Sequence, residues 1–168
     1  MRWSFALTLP LVCGLATGAV AQPAAIPQAN TVLTDEHHAL GREAALARLA
    51  QHGSQRVAEL GGQLGRDMAF SDDQVTSVAK RVGTNLASSS DANDLVARGD
   101  RDRISHLTGP AFDRAVVAAI RDQLTADLAW IDGLTGTVAD DRVVDLLATM
   151  RPMLLHYQAA AAALANVL

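Results

Sequence analysis

Apolar residues return every three or four positions along most of this chain, which is the spacing of one face of an α-helix. One such face begins at Phe112 and continues through Val116 and Ile120. Pro110 lies just ahead of it, where the first turn of a helix tolerates proline. The pattern therefore predicts a helix that starts near Pro110 and ends near Asp132.

Two other stretches predict helices at the beginning and the end of the patterned region. Thr34 is a suitable N-cap for a helix that runs to about Gln51, and Asp35 and Glu36 follow in its first turn, where the helix dipole favours negative charge. The last helix starts at Asp140, and Pro152 inside it predicts a kink near Ala148. Its apolar seam consists of Val143, Leu147, Met150, Leu154, Tyr157, Ala161, Leu164 and Leu168.

The second helix, between Ser54 and Gly83, has an apolar stripe but contains three glycines. Glycine inside a helix costs about 1 kcal/mol relative to alanine. Ser71 and Gln74 also have the spacing of a capping box, which starts a helix. We therefore predict a long helix that is kinked or interrupted near residues 69 to 72.

A polar stretch from Ser88 to Asp102 separates the second and third long helices, and it includes a candidate short helix that reaches Leu107. Alternation of β-branched residues, which indicates a β-strand, does not continue over the length of a strand anywhere in the sequence. The sequence predicts an all-α, four-helix bundle over residues 34–168, with this polar stretch as its crossover.

The N-terminus has the features of a secretory signal peptide. Arg2 precedes an apolar run, and Ala19-Val20-Ala21 is a small-x-small cleavage site. We predict a signal peptide at 1–21, an extended leader at 22–33, and export across the inner membrane, with the periplasm as destination. Pro10 inside the apolar run argues against a retained membrane anchor.

Charge and cysteine content exclude some classes of function. The chain has 14 basic and 18 acidic residues, a net charge of −4, which disfavours nucleic acid as a partner. Its one cysteine, Cys13, lies in the predicted signal peptide, so the mature chain has no disulfide. The expected partner is an unidentified protein or small molecule, and a homo-oligomer is a further option.

Gln123 and Asp127 interrupt the apolar face of the helix that contains Phe112. At about 3.6 residues per turn, both fall where burial is expected. On the structural interpretation, which we favour, neighbouring groups, Tyr157 or water satisfy their hydrogen bonds. On the functional interpretation they belong to a polar pocket in the bundle. The candidate pocket residues are Glu43, Asp67, Met68, Gln123, Asp127, His156 and Tyr157.

The segment from Gly109 to Ala115, GPAFDRA, resembles exported bacterial proteins of the domain of unknown function 4142 family, which is grouped with ferritin-like bundles. In its first helix the family has a glutamate seven positions before an alanine, which Glu43 and Ala50 match. Arg151-Pro152 lies where the family has a Leu-Pro pair late in the chain. The second helix keeps the family's register at Val57, Asp67, Val75, Val78, Ala79 and Gly83. The resemblance implies a ferritin-like four-helix bundle.

The chain departs from the family at three positions where family members usually carry histidine. These positions are Met68, Leu124 and Tyr157, and His156 is one residue away from the last. A shift of one residue turns a side chain by about 100° around a helix. The resemblance therefore implies a member that lacks the family's histidines.

Metal chemistry is the alternative to a non-catalytic role. A dinuclear iron centre uses Glu-x-x-His pairs, which this chain lacks. Asp35 and His38 have the same spacing, but they lie at the predicted helix start, where a solvated capping role is expected. Copper is suggested by Met150, Met153 and His156, which offer soft ligands. Each step of three residues turns about 60° away from the last around a helix, so these side chains fan out and do not converge on one ion.

We predict no cofactor, with iron or copper as the alternative. The other histidines, His37, His38, His52 and His106, are expected to be exposed. No Ser-His-Asp arrangement or phosphate loop is visible in the sequence. The predicted function is a non-catalytic, exported binding or envelope-stress protein, and the alternative is a metal-binding storage or redox protein.

Overall fold

A computed structural model describes residues 28–86, 99 and 101–168, and the regular structure in these residues is helical. The long helices are α1 (Ala29–Ala50), α2 (Gln55–Val82), α3 (Gly109–Leu134) and α4 (Asp141–Ala165). The predicted all-α fold is confirmed.

The four helices form a bundle in which each helix packs against two neighbours. Helix α1 lies between α2 and α3, and α4 closes the bundle against the same two helices. The predicted apolar faces of α3 and α4 point into one shared core. The bulkiest of its fully buried apolar side chains are Leu33, Leu40, Leu64, Met68, Ile104, Ile120, Leu124, Met150 and Leu154.

Helix α1 begins at Ala29 and not at the predicted Thr34. Val32 and Leu33 are fully buried in the core, so packing extends the helix into a stretch that was expected to be an unstructured leader. The prediction of the start was wrong because it relied on capping residues. As a result, Glu36 lies in the second turn of the helix and not in its first.

Helix α2 runs through residues 69 to 72 without the predicted interruption. Its Gly61 lies against α1, where a Cβ atom would come within 2.6 Å of the Ala47 carbonyl oxygen and 2.8 Å of the Ala50 Cβ. The glycine therefore permits close contact between two helices. Ser71 starts no new helix, since it is buried and its hydroxyl donates to the sulfur of Met153 at 3.5 Å.

The helix ends follow the expected chemistry in most places. Gly83 ends α2 with a φ of 75°, and the Thr84 N–H donates to the Ala79 carbonyl, as in a Schellman cap. Asp140 caps α4 by accepting from the Arg142 N–H at 3.0 Å. Helix α4 continues through Pro152.

The predicted signal peptide, the first half of the leader and most of the crossover lie outside the described residues. A short helical segment at 101–105 is described at the end of the crossover, and its Ile104 is buried in the bundle core. Among the described helices, none has the length and apolar character needed to cross a membrane.

Candidate functional site

The α1–α3 interface contains carboxyl side chains that are removed from solvent. Glu36 and Glu43 on α1 are 1% and 2% exposed, and Asp127 on α3 is 5% exposed. Glu36 and Glu43 are seven residues apart, about two helical turns, so they share the buried side of α1 with Leu40. The fold thus places two carboxyl groups of one helix near a third on its neighbour.

Asp127 is the best connected of the three carboxyl groups. The Gln123 side-chain amide, one turn earlier on α3, donates to both of its oxygens at 2.9 Å. The Arg42 guanidinium of α1 lies 3.8 Å from Asp127 Oδ1, within the range of an ion pair. Asp127 therefore connects α3 to the charged side chain next to Glu43.

Glu43 is surrounded by groups that disfavour its charged form. Burial is the main reason that its pKa lies well above the usual range, followed by the proximity and negative charge of Asp127 and the negative charge of Glu36; Arg42 acts in the opposite direction. Neither carboxyl oxygen of Glu43 has a hydrogen-bond partner in the described residues.

Glu36 has a similar environment. Burial first, and the negative charge of Asp127 second, raise its pKa to about 8, again against the influence of Arg42. Its Oε2 atom has no hydrogen-bond partner among the described residues. A buried polar group without a partner costs about 1 to 3 kcal/mol, so the fold accepts an unfavourable contribution here.

A surface cleft of about 480 Å³ between α1 and α3 leads to Asp127. Its walls include Asp35 and His38 from α1 and the half-buried Trp130 from α3. The Nε2 atom of His38 is buried without a hydrogen-bond partner in the described residues. We call this opening the acidic cleft; Glu36 and Glu43 are buried near Asp127 and are not among the side chains that line it.

The structure brings together only part of the predicted pocket. Gln123 and Asp127 meet at the acidic cleft, and Glu43 is buried near Asp127. Asp67 and Tyr157 form a different pair, in which the Tyr157 hydroxyl donates to Asp67 Oδ2 at 2.5 Å. Burial, and then this hydrogen bond, raise the pKa of Tyr157. Gln123 is bonded to Asp127 and is half-buried.

The remaining pocket candidates separate further. Met68 is fully buried in the apolar core, and His156 is exposed with an edge contact to Tyr157. The residues that suggested copper also diverge: Met150 is buried, while Met153 accepts a hydrogen bond from Ser71. Met150, Met153 and His156 therefore present no common face to a metal ion.

Sequence reasoning missed Glu36 and the contribution of His38. Glu36 was expected in a solvated first turn, and His37 and His38 were expected to be exposed; both histidines are half-buried, and His37 pairs with Asp72 at 2.5 Å. The spacing of seven between Glu36 and Glu43, with Leu40 between them, was the available signal. It places both carboxyl groups on the apolar stripe of α1.

The GPAFDRA motif has a structural role in this chain. Asp113 of the motif is 5% exposed and accepts a hydrogen bond from the Ser54 backbone N–H at 3.0 Å. Ser54 is the N-cap residue of α2, and its own side chain makes no capping bond. Asp113 thus supplies the negative group that a helix N-terminus favours, and it connects α3 to the start of α2.

The described residues do not match the donor set of a dinuclear metal centre. Within residues 28–86, 99 and 101–168, no group of three or more histidine, cysteine, aspartate or glutamate side chains is arranged to hold a metal ion. Arg42 also brings a positive charge to within 3.8 Å of Asp127.

The fold and the acidic cleft define a class of protein, an all-α bundle with buried carboxyl groups between two of its helices. The chain belongs to the family described as Domain of unknown function (DUF4142), whose model matches residues 14–164. No curated protein matches the chain, and no solved structure matches it either.

Proposed function

We propose that this protein is an exported, ferritin-like bundle of the periplasm that binds a small cationic ligand at the acidic cleft without transforming it. The observation that carries the proposal is the set of unpartnered carboxyl oxygens, Oε2 of Glu36 and both oxygens of Glu43, which are buried near Asp127. Asp127 itself lines an open cleft. A chain that only needed a stable bundle would gain from apolar side chains at these positions. Their presence is explained by a ligand that uses them.

The side chains lining the cleft favour binding over catalysis. They comprise two carboxylates, an arginine, a histidine, an amide and a tryptophan, together with two alanines. This lining contains no serine, threonine, cysteine or lysine that could act as a nucleophile beside a base. The carboxylates and the amide oxygen can attract and orient a positive charge.

A metal-binding storage or redox protein, with iron or copper, is the second candidate. The observation in its favour is the same pair of buried glutamates, because carboxylate oxygens are ligands for hard cations. The described residues contain no group of three or more metal-ligating side chains arranged around one point, which counts against a metal ion. The positive charge of Arg42 beside Asp127 opposes any cation at this place, organic or metallic.

Elemental analysis separates the two candidates. The mature chain is purified, incubated with iron, copper, zinc or manganese, and desalted before the metal content is measured. We expect less than about one tenth of an equivalent of each metal. Near-stoichiometric metal that Glu43→Ala removes and Glu59→Ala retains would establish the second candidate. Glu59 is the matched control because it is an exposed glutamate.

Export is tested separately by fractionating cells that express the full chain. We expect the protein in the periplasmic fraction, with Gln22 as its first residue by N-terminal sequencing. An uncleaved chain in the cytoplasmic fraction would contradict the proposed location and would leave the ligand proposal to its own test.

A further inference from the structure

The outer face of α2 carries a regular row of charged side chains. Each of them lies two residues after a buried position of the helix, and a step of two residues turns about 200° around a helix, so the row points away from the core. The exposed charged residues, which we call the α2 charge row, are Glu59, Arg66, Asp73 and Lys80, and the buried positions before them are Val57, Leu64, Ser71 and Val78. Neighbouring members of the row are separated by about two helical turns.

The charges of the row alternate in sign, from negative at Glu59 to positive at Lys80. Because of this alternation, the row read backwards has the opposite sign at every position. In a second copy of α2 that lies antiparallel to the first, Arg66 can therefore face Asp73 of the other copy. Glu59 faces Lys80 of the other copy in the same register, because both pairs are centred on the same point of the helix.

The side chains of the α2 charge row are available to another molecule. Among the described residues, the side chains of Arg66, Asp73 and Lys80 make no hydrogen bond or ion pair. Glu59 accepts a hydrogen bond from the amide of Gln55 at 2.9 Å, on the exposed surface of the same helix. The row therefore has no role in holding α2 against α1 or α4.

Phe70 lies at the centre of this charge pattern. It is 64% exposed, and its neighbours on the same face, Gly62, Ala69 and Ser77, are small enough for a second helix to come close. A single exposed apolar residue is ordinary, but this one lies where the antiparallel register brings it beside Phe70 of the other copy. Burial of the two rings favours association, while the exposed ion pairs mainly fix its orientation.

We infer that two copies of this chain form a symmetric dimer through the α2 charge row, with their α2 helices antiparallel and centred on Phe70. Such an interface uses the same patch on both subunits, which is what a self-complementary pattern of charges provides. Helix α2 contributes no side chain to the lining of the acidic cleft, so the dimer contact lies on another side of the bundle. The inference goes beyond the proposed function and does not depend on it.

Sedimentation velocity over a range of concentrations tests this inference on the chain purified from cells that express it. A contact along one helix is at the small end of specific interfaces, so we expect a dissociation constant of about 1 to 100 µM. The sedimenting mass should rise from that of one chain to that of two chains across this range. A chain that is still monomeric at about 1 mM overturns the inference.

Charge reversals test the antiparallel register. Arg66→Asp and Asp73→Arg each place like charges opposite one another, so we expect each variant alone to dimerise at least about tenfold more weakly. An equal mixture of the two variants should form a heterodimer, because every reversed charge then faces an opposite one, and this rescue also shows that both variants are folded. Asp122→Arg, at an exposed position of α3, makes the same change in net charge and is the matched control, which should dimerise like wild type. A mixture that stays monomeric contradicts the antiparallel pairing.

Phe70→Ser tests the apolar centre of the contact and should also weaken dimerisation at least about tenfold. Val167→Ser is the matched control, because Val167 is 65% exposed and lies near the end of the chain, outside α2. A dimer that persists unchanged in both Phe70→Ser and Arg66→Asp would use another face of the bundle, and the inference would be wrong. Metal content tests the proposed function and sedimentation tests the dimer, so either can fail without the other.

Discussion

Helix α1 has two buried faces that differ in chemistry. The face toward α2 consists of small side chains, where Ala47 and Ala50 contact Gly61. The face toward α3 carries Glu36 and Glu43, whose carboxyl groups are equally removed from water. One face brings two backbones close together, and the other buries groups that water would solvate better.

The difference shows where stability and function lie in this bundle. The contact at Gly61 is explained by packing, because a larger residue has no room. Asp113 is explained as well, since it has the Ser54 N–H as a partner. Oε2 of Glu36 and both carboxyl oxygens of Glu43 have no hydrogen-bond partner in the described residues, which is why we propose a ligand for them.

The largest expected effect comes from removing the charge of Glu36. Its pKa is about 8 in the folded chain, and it is near 4.5 when unfolded. The folded state therefore binds more protons between these values, and stability falls as the pH rises from about 4.5 to 8. Glu36→Gln should stabilise the protein by about 5 kcal/mol at pH 9 and by almost nothing below pH 4.5.

Urea unfolding followed by circular dichroism at pH 4, 6, 8 and 9 measures this difference. Glu59→Gln, at an exposed position of α2, serves as the control and should show no comparable pH dependence. Equal stability of wild type and Glu36→Gln across the whole range would show that the α3 face of α1 carries no unfavourable charge.

The next effect concerns the other face of α1. Gly61→Ala places a Cβ atom 2.6 Å from the Ala47 carbonyl oxygen, so the helices must separate. We expect a net loss of about 2 kcal/mol, because the strain exceeds the gain in helix propensity. The neighbouring Gly62→Ala, whose Cβ would have 3.7 Å to its nearest atom, should instead stabilise by about 1 kcal/mol in thermal or urea unfolding.

Asp113, a buried carboxylate with a hydrogen-bond partner, provides a third comparison. Asp113→Ala removes the acceptor of the Ser54 N–H at the start of α2 and should destabilise the protein by about 1 to 2 kcal/mol. Asp113→Asn keeps an acceptor oxygen and should lose less. A stabilising Asp113→Ala in urea unfolding would mean that this carboxylate resembles Glu36 and Glu43 after all.

The smallest expected effect tests whether the predicted pocket is one site or two. Tyr157→Phe removes the hydrogen bond to Asp67 and should cost about 1 kcal/mol in urea unfolding. Because this pair is separate from Glu43, the effects of Tyr157→Phe and Glu43→Gln on the free energy of unfolding should add in the double variant. A clear departure from additivity would join Asp67 and Tyr157 to the same site.

The apolar spacing predicted most of the fold. It placed Phe112, Val116 and Ile120 on a buried face, and all three are in the core. It failed at Thr34, since tertiary packing of Val32 and Leu33 carries α1 further than the capping residues indicate. Packing between helices depends on two segments of the chain, so the apolar spacing of one segment does not predict it.

The same limit applies to the glycines and to the candidate site. Gly61 was judged by its helix propensity alone, whereas its neighbour on α1 determines its role. Gln123 and Asp127 were recognised because they interrupt an apolar face. Glu36 was missed because an acidic residue near a predicted helix start is ordinarily solvated. Only the true start of α1 shows that it is buried.

The two buried glutamates also change what folding does to the solution around the protein. The formal net charge of −4 counts every carboxyl group as ionised. Because burial raises the pKa of Glu36 to about 8 and raises that of Glu43 as well, the folded chain carries fewer negative charges in a neutral buffer and takes up protons as it folds. Its isoelectric point lies above that of the unfolded chain, and the two forms migrate differently in an electric field.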